Sequence, residues 1–176
     1  MDGNFLPRYP LPVSSDVTED RKMLEEGQKA PPFTMDSENG EVSLKDYAGK
    51  TLVLYFYPKD DTSGCTKEAI GFSEALDEFR AAGAEVLGVS KDKPAKHAKF
   101  REKHDLTVPL ASDEEGEVIE AYGSWVEKSM YGKKYMGIDR STFLIDKGGV
   151  VRKIWRKVRV PKHVETVLEE VRALNA

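Results

Sequence analysis

The sequence holds a single cysteine, Cys65, in 176 residues. An intramolecular disulfide is thereby excluded, and so is a zinc site built on several cysteines. Cationic excess is missing as well: 27 Lys and Arg stand against 31 Asp and Glu, a net charge of −4. That argues against a nucleic-acid binder, whose footprint is a basic face. No apolar run approaches the roughly 18 residues of a membrane-spanning helix. Neither a G-x-G-x-x-G nor a P-loop occurs, and Gly148-Gly149 reads as a hairpin turn. His97, His104 and His163 lack a metal-ligand spacing with a third carboxylate or thiol, and their charged neighbours read as surface. There is no internal repeat and no low-complexity tract. No metal and no cofactor is implied. A lone cysteine without a disulfide framework fits a reducing, cytoplasmic setting.

What is present is an ordinary globular composition, 39% hydrophobic and 33% charged. A chain of this size is one domain, or one domain plus a tail, and buries roughly 70% of its extended-chain surface. Residues 1–22 differ from the rest: Pro7, Pro10 and Pro12 interrupt the apolar residues, and Ser14-Ser15-Asp16 follows. Without a basic n-region or a continuous apolar h-region they do not read as a secretory signal. They read as a flexible N-terminal extension, with a helical turn over Thr18–Glu26 and the folded domain over 23–176.

From Pro31 onward, strand and helix signals alternate. Glu38-Asn39-Gly40 is a hairpin turn between short strands around Phe33 and Val42. Thr51 to Tyr57 is a continuous aromatic and β-branched run, the pattern of a strand buried on both faces. Pro58 ends it, and a polar loop leads to a helix that Cys65 opens and Gly83 closes. Ala84–Ser90 is a second buried strand, Pro94–His104 a charged helix, Val108–Ala111 a short strand and Glu114–Tyr122 a short helix. Thr142–Asp146 and Val150–Trp155 form a hairpin around Lys147-Gly148-Gly149. Pro161–Leu174 is a final helix, with Val164, Val167, Leu168, Val171 and Leu174 on one face. Trp125 and Tyr131 read as lying in a loop before Arg140, walling a pocket or pinning the loop to the core. Lys133-Lys134 and the stretch Arg152–Arg159 form a basic patch; its end, Arg156–Arg159, could attract an acidic partner but reads first as a solvated strand edge. The order predicts an α/β fold: a central mixed sheet flanked by helices on both faces.

Cys65 stands where a central strand has ended and a helix begins. Open α/β sheets place their sites at the carboxyl ends of strands. A helix N-terminus offers unpaired N–H groups and partial positive charge, and a thiolate gains from both. Ala69, Phe72, Ala75, Leu76 and Phe79 form the helix's apolar stripe. At about 100° per residue, Cys65 falls on that stripe and Glu68 near it, so both point toward the sheet. Glu68 then wants a buried cation or polar partner. Ile70 falls on nearly the opposite face, an unusual place for a large aliphatic side chain.

The segment Tyr55-Phe56-Tyr57-Pro58-Lys59-Asp60-Asp61-Thr62-Ser63-Gly64-Cys65-Thr66-Lys67-Glu68-Ala69 closely resembles the active-site segment of the peroxiredoxin Q subfamily, also called bacterioferritin comigratory protein. Pro58, Thr62 and Cys65 meet the family's P-x-x-x-T-x-x-C. The resemblance continues through Gly88–Pro94, Tyr122–Lys128, Met130–Lys133 and Gly137–Asp146, and spans roughly residues 27–174. It implies a thioredoxin-like fold with an N-terminal β-hairpin, and reduction of hydrogen peroxide or an alkyl hydroperoxide by Cys65, which becomes a sulfenic acid. By the same resemblance, Thr62 holds peroxide and thiolate in line, and Arg140 lowers the thiol pKa and stabilises the leaving oxygen. Pro58 shapes the pocket and keeps water from the sulfur. Backbone N–H groups near Gly64 and Cys65 complete the donors, and Glu68 orients Arg140.

In one respect the chain departs from this pattern. Many members carry a resolving cysteine five residues after the first, and here that position is Ile70. The expectation is a one-cysteine peroxidase recycled by an external thiol: thioredoxin, glutaredoxin or a low-molecular-weight thiol. Without a resolving partner, the sulfenic acid should over-oxidise readily. Competing readings are a thiol–disulfide oxidoreductase, weakened by the missing Cys-x-x-Cys, and a non-enzymatic binding or chaperone-like module, weakened by intact Pro58, Thr62, Cys65 and Arg140. The expected assembly is a monomer or a weak dimer.

Overall fold

The computed structural model describes residues 23–176. The extension expected over residues 1–22 lies outside them. Within the expected turn over Thr18–Glu26, the described residues 23–25 are not helical, and a turn forms only at Glu26-Gly27.

The strands β1 (Thr34–Ser37), β2 (Gly40–Ser43), β3 (Thr51–Phe56), β4 (Ala84–Ser90), β5 (Leu110–Ser112), β8 (Ser141–Ile145) and β9 (Val151–Trp155) make one sheet in the order β2-β1-β5-β4-β3-β8-β9. β3, β4 and β5 run parallel, while β8 and β9 complete one side antiparallel and β1 and β2 the other. Parallel neighbours need long crossovers. These are the helices α1 (Ser63–Ala81), between β3 and β4, and α2 (Pro94–His104), between β4 and β5. Two more follow, α3 (Glu117–Ala121) and α4 (His163–Leu174).

Every residue of β3 is buried, and its side chains alternate between two cores, as the period of two in a strand dictates. Val53 and Tyr55 face a core with Cys65, Phe72 and Phe79 of α1, Phe100 of α2 and Val167 and Val171 of α4. Leu52, Leu54 and Phe56 face a second core with Leu87, Ile119, Tyr122 and Phe143. Helices therefore cover both faces, α3 lying on the second. Gly88 of β4 serves this packing directly: a Cβ there would stand 2.6 Å from the ring of Tyr55.

Three readings of the sequence need correction. Trp125 and Tyr131 are not in a loop: β6 (Trp125–Met130) and β7 (Lys133–Ile138) form a separate antiparallel hairpin. Its two-residue turn puts Tyr131 at φ 52°, an unusual conformation for a tyrosine, which hid the turn signal. Trp125 packs on the second core, whereas Tyr131 is 97% exposed and walls nothing. Of the three histidines read as surface, His97 and His163 are buried. Their charged neighbours occupy the outer faces of α2 and α4, and the spacing of His97 to buried Phe100 was the inward signal. Finally, Arg156 leaves the basic patch. It donates to the carbonyls of Gly123, Tyr122 and Leu24 and covers the Phe143 ring.

Candidate active site

β3 delivers the chain to Pro58 at the carboxyl end of the sheet, and the loop 58–62 turns it into α1. Thr62 is the N-cap, with extended backbone. The first intrahelical bond runs from the Thr66 N–H to the Thr62 carbonyl. The N–H groups of Ser63, Gly64 and Cys65 therefore have no intrahelical acceptor, and the Thr62 side chain caps none of them. Cys65 is 1% exposed, at the first turn, where the helix dipole favours an anion.

Arg140 reaches the sulfur from between β7 and β8. Its Nη2 donates to Cys65 Sγ at 3.4 Å and its Nη1 to Glu68 Oε1 at 2.7 Å. The backbone that carries it is fastened on both sides. The Asp139 N–H donates to the Ser124 carbonyl at 2.7 Å, and the Val158 N–H to the Arg140 carbonyl at 3.0 Å. Gly64 lets the guanidinium in, since a Cβ there would lie 3.1 Å from Nη2. Arg140, Glu68 and the Cys65 sulfur thus meet, although 75 residues separate Arg140 from Cys65.

Thr62 does not meet the sulfur. Its hydroxyl donates to the Lys59 carbonyl at 2.9 Å, so its proton is committed and only its lone pairs remain for a ligand. Pro58 is half-buried at the bend that ends β3. Ile70 is half-buried against the first core rather than fully outward. It borders a groove of about 260 Å³ that it shares with His104 and Leu106.

Comparison with known proteins places the chain in a family. The model of the AhpC/TSA family matches residues 26–154. The peroxiredoxin Bcp of Bacillus subtilis is 48% identical over 153 residues, covering 86% of this chain and 98% of that one. The chain is a peroxiredoxin of the AhpC/TSA family. The peroxiredoxin Bcp of Escherichia coli K12 is 43% identical over 82% of this peroxiredoxin and 94% of the relative. The bacterioferritin comigratory protein of Xanthomonas campestris superposes with a TM-score of 0.78 at 41% identity, covering 82% of this chain and 92% of that one.

Electrostatically, the centre of this peroxiredoxin is one cation facing two buried acids. Burial works against the Arg140 charge, yet the Glu68 carboxylate and the Cys65 sulfur outweigh it and hold its pKa above the ordinary value. Glu68 is fully buried, and burial pushes its pKa from 4.5 up to about 7, with Arg140 pulling the other way. Its Oε2 and the buried Tyr55 hydroxyl find no hydrogen-bond partner among the described residues. Tyr55 and His163 were missed by sequence reasoning. His163 donates to or accepts from Thr142 Oγ1 at 2.9 Å and packs edge-on to Phe72 and Trp155. Burial, then Arg140, lower its pKa to about 4.

These shifts make a prediction with a definite sign. The Glu68 pKa is raised on folding, so the folded state binds the extra proton between 4.5 and about 7. Stability from this group is complete below 4.5 and is lost as pH rises through about 7. His163, lowered from 6.5 to about 4, tilts the curve the opposite way over much of the same window. The readout is therefore the difference between Glu68→Gln and wild type. That difference should grow in favour of the variant from pH 4.5 to about 7, amounting to several degrees in Tm, of which about 2–4 °C corresponds to 1 kcal/mol at this size. A difference that stays flat across this range would contradict the assignment.

Proposed function

We propose that this peroxiredoxin reduces hydrogen peroxide and alkyl hydroperoxides by a one-cysteine cycle in which an external thiol regenerates Cys65. The observation that carries the reading is the Arg140 Nη2 bond to Cys65 Sγ at 3.4 Å, at a helix N-terminus whose first N–H groups have no intrahelical acceptor. The thiolate attacks the nearer peroxide oxygen, and the S–O bond forms as the O–O bond breaks. Sulfur is oxidised by two electrons, and the departing oxygen takes a proton and leaves as water or alcohol. Arg140 and the N–H groups stand where the leaving oxygen gathers negative charge. Thr62, its proton given to the Lys59 carbonyl, accepts the peroxide O–H. Pro58 closes the side of the pocket, and Glu68 holds the guanidinium. Two equivalents of external thiol then return the sulfenic acid to thiol, releasing a disulfide and water. The sulfur is nearly inaccessible, so a protein thiol reaches it only after the first turn of α1 opens. The related X. campestris protein has alkyl peroxide reduction activity, which supports the substrate class.

The test is intact mass against time. One equivalent of hydrogen peroxide should add one oxygen to the reduced protein, and none to Cys65→Ser. Added thiol should reverse it. Oxidation no faster than that of an unperturbed thiol would refute the reading.

A further inference from the structure

The loop 58–62 is exposed at Lys59, Asp61 and Thr62, yet Asp60 in its middle is 2% exposed. A carboxylate is not left there without partners, because burying an unpaired charge costs several kcal/mol or more. Its Oδ1 accepts from the Tyr57 hydroxyl at 2.5 Å, and its Oδ2 meets Nδ1 of the fully buried His97 at 2.7 Å. The Asp60 N–H donates to Asp92 Oδ2 at 2.8 Å, an oxygen that also accepts from Ser90 Oγ. His97 is held at its other end too, with Nε2 2.9 Å from the Ala111 carbonyl. A carbonyl only accepts, so Nε2 carries a proton, and one further proton lies between Nδ1 and Oδ2. The imidazole is thus a strut from β5, through α2, to the centre of the loop. The Cys65 sulfur is hydrogen-bonded to Arg140 and to neither Asp60 nor His97, so the peroxidase chemistry above makes no direct use of them.

We propose that His97 is a positioning residue for the peroxidase reaction: through Asp60 it fixes the loop 58–62, and with it the positions of Pro58 and Thr62 ahead of the Cys65 helix. This rests on the peroxidase reading. Reaction in line at sulfur requires the peroxide to be held in a near-attack position, and a displacement of about 1 Å at such a site costs on the order of 100-fold in rate. The nucleophilicity of the sulfur has a different origin, in Arg140 and the helix terminus, and the strut leaves it alone.

The experiment compares two reactions of the same thiol, oxidation by hydrogen peroxide and alkylation by iodoacetamide, in wild type, His97→Leu and His97→Asn, each checked for folding by circular dichroism. His97→Leu should oxidise about 10- to 100-fold more slowly while its alkylation is equal or faster. His97→Asn keeps a donor near the Nδ1 position and should recover most of the loss. If His97→Leu does not fold, Tyr57→Phe, which removes only the hydroxyl on Asp60, is read in its place and should lose about 3- to 10-fold, the net worth of one hydrogen bond. An unchanged peroxide rate, peroxide and alkylation rates that fall together, or a folded His97→Asn no better than His97→Leu would overturn the proposal. Failure of the peroxidase reading itself is separate, because it would show as a slow wild type.

Discussion

Arg140→Met is expected to slow oxidation of Cys65 by peroxide by about 100- to 1,000-fold, the usual cost of removing one preorganised donor from developing negative charge. Methionine fills much of the same space, so the change isolates the cation. The guanidinium serves both Cys65 Sγ and Glu68 Oε1, and its removal leaves Glu68 buried with no cation. The carboxyl then answers by taking up a proton rather than by staying charged. Arg140→Met with Glu68→Gln should consequently be more stable than Arg140→Met alone and no faster, which separates the electrostatic loss from any loosening of the fold. Arg140→Lys keeps a charge but cannot span both partners, since an ammonium is a point donor and not a fork. It should fall between. The measurement is the second-order rate of one-oxygen gain by rapid quench and mass spectrometry. A rate for Arg140→Met within about threefold of wild type, less than 1 kcal/mol of barrier, would remove Arg140 from the reaction.

The parts of this site that could be read from the chain are those encoded locally. The run Thr51–Tyr57 declares a doubly buried strand, and the periodicity of Ala69, Phe72, Leu76 and Phe79 declares which side of α1 faces the sheet. Together they place Cys65 and Glu68 inward, as found. Nothing local brings Arg140 to the sulfur. Its place depends on the pairing of β8 with β3, a long-range register that periodicity does not encode, and only the family resemblance supplied it. The histidines were misread for a related reason. Counting charged neighbours measures a helix's average surroundings, whereas His97 and His163 stand on the one buried stripe of their helices. The buried acid Asp60 was likewise invisible among exposed loop residues, because a burial set by a partner 37 positions away leaves no mark on the loop's composition. Thr62 was read within a polar loop ahead of a helix opened by Cys65, whereas the helix starts at Ser63 with Thr62 as its N-cap, and its hydroxyl orientation is decided by the Lys59 carbonyl, which residue type cannot reveal.

Ile70→Cys should change the end product of the reaction. Wild type carries its sulfenic acid alone, and excess peroxide is expected to drive it to sulfinic and sulfonic acid. A thiol at position 70 offers an internal partner, but not within an intact α1. On an ideal helix, residues five apart lie about 140° around the axis and their Cα atoms are roughly 8.7 Å apart, beyond the limit of about 7 Å that a disulfide tolerates. The bond forms only if the first turns of α1 unwind. Two features favour that opening. The helix start has no side-chain cap, and cysteine replaces an isoleucine whose packing against the first core helps to hold α1 closed. With one equivalent of peroxide, Ile70→Cys should end as a species lacking two hydrogens, not one carrying an added oxygen, and its helical circular dichroism should fall on oxidation and return with reductant. With excess peroxide its sulfinic fraction should drop about tenfold, because thiol attack on the sulfenic acid competes with the next oxidation step. Cys65→Ser in the same background should show neither change. If Ile70→Cys follows the same ladder of oxygen additions as wild type, α1 is too rigid to open on the timescale of over-oxidation. The external thiol would then have to be small enough to reach the sulfur within the closed site, which would exclude a protein reductant.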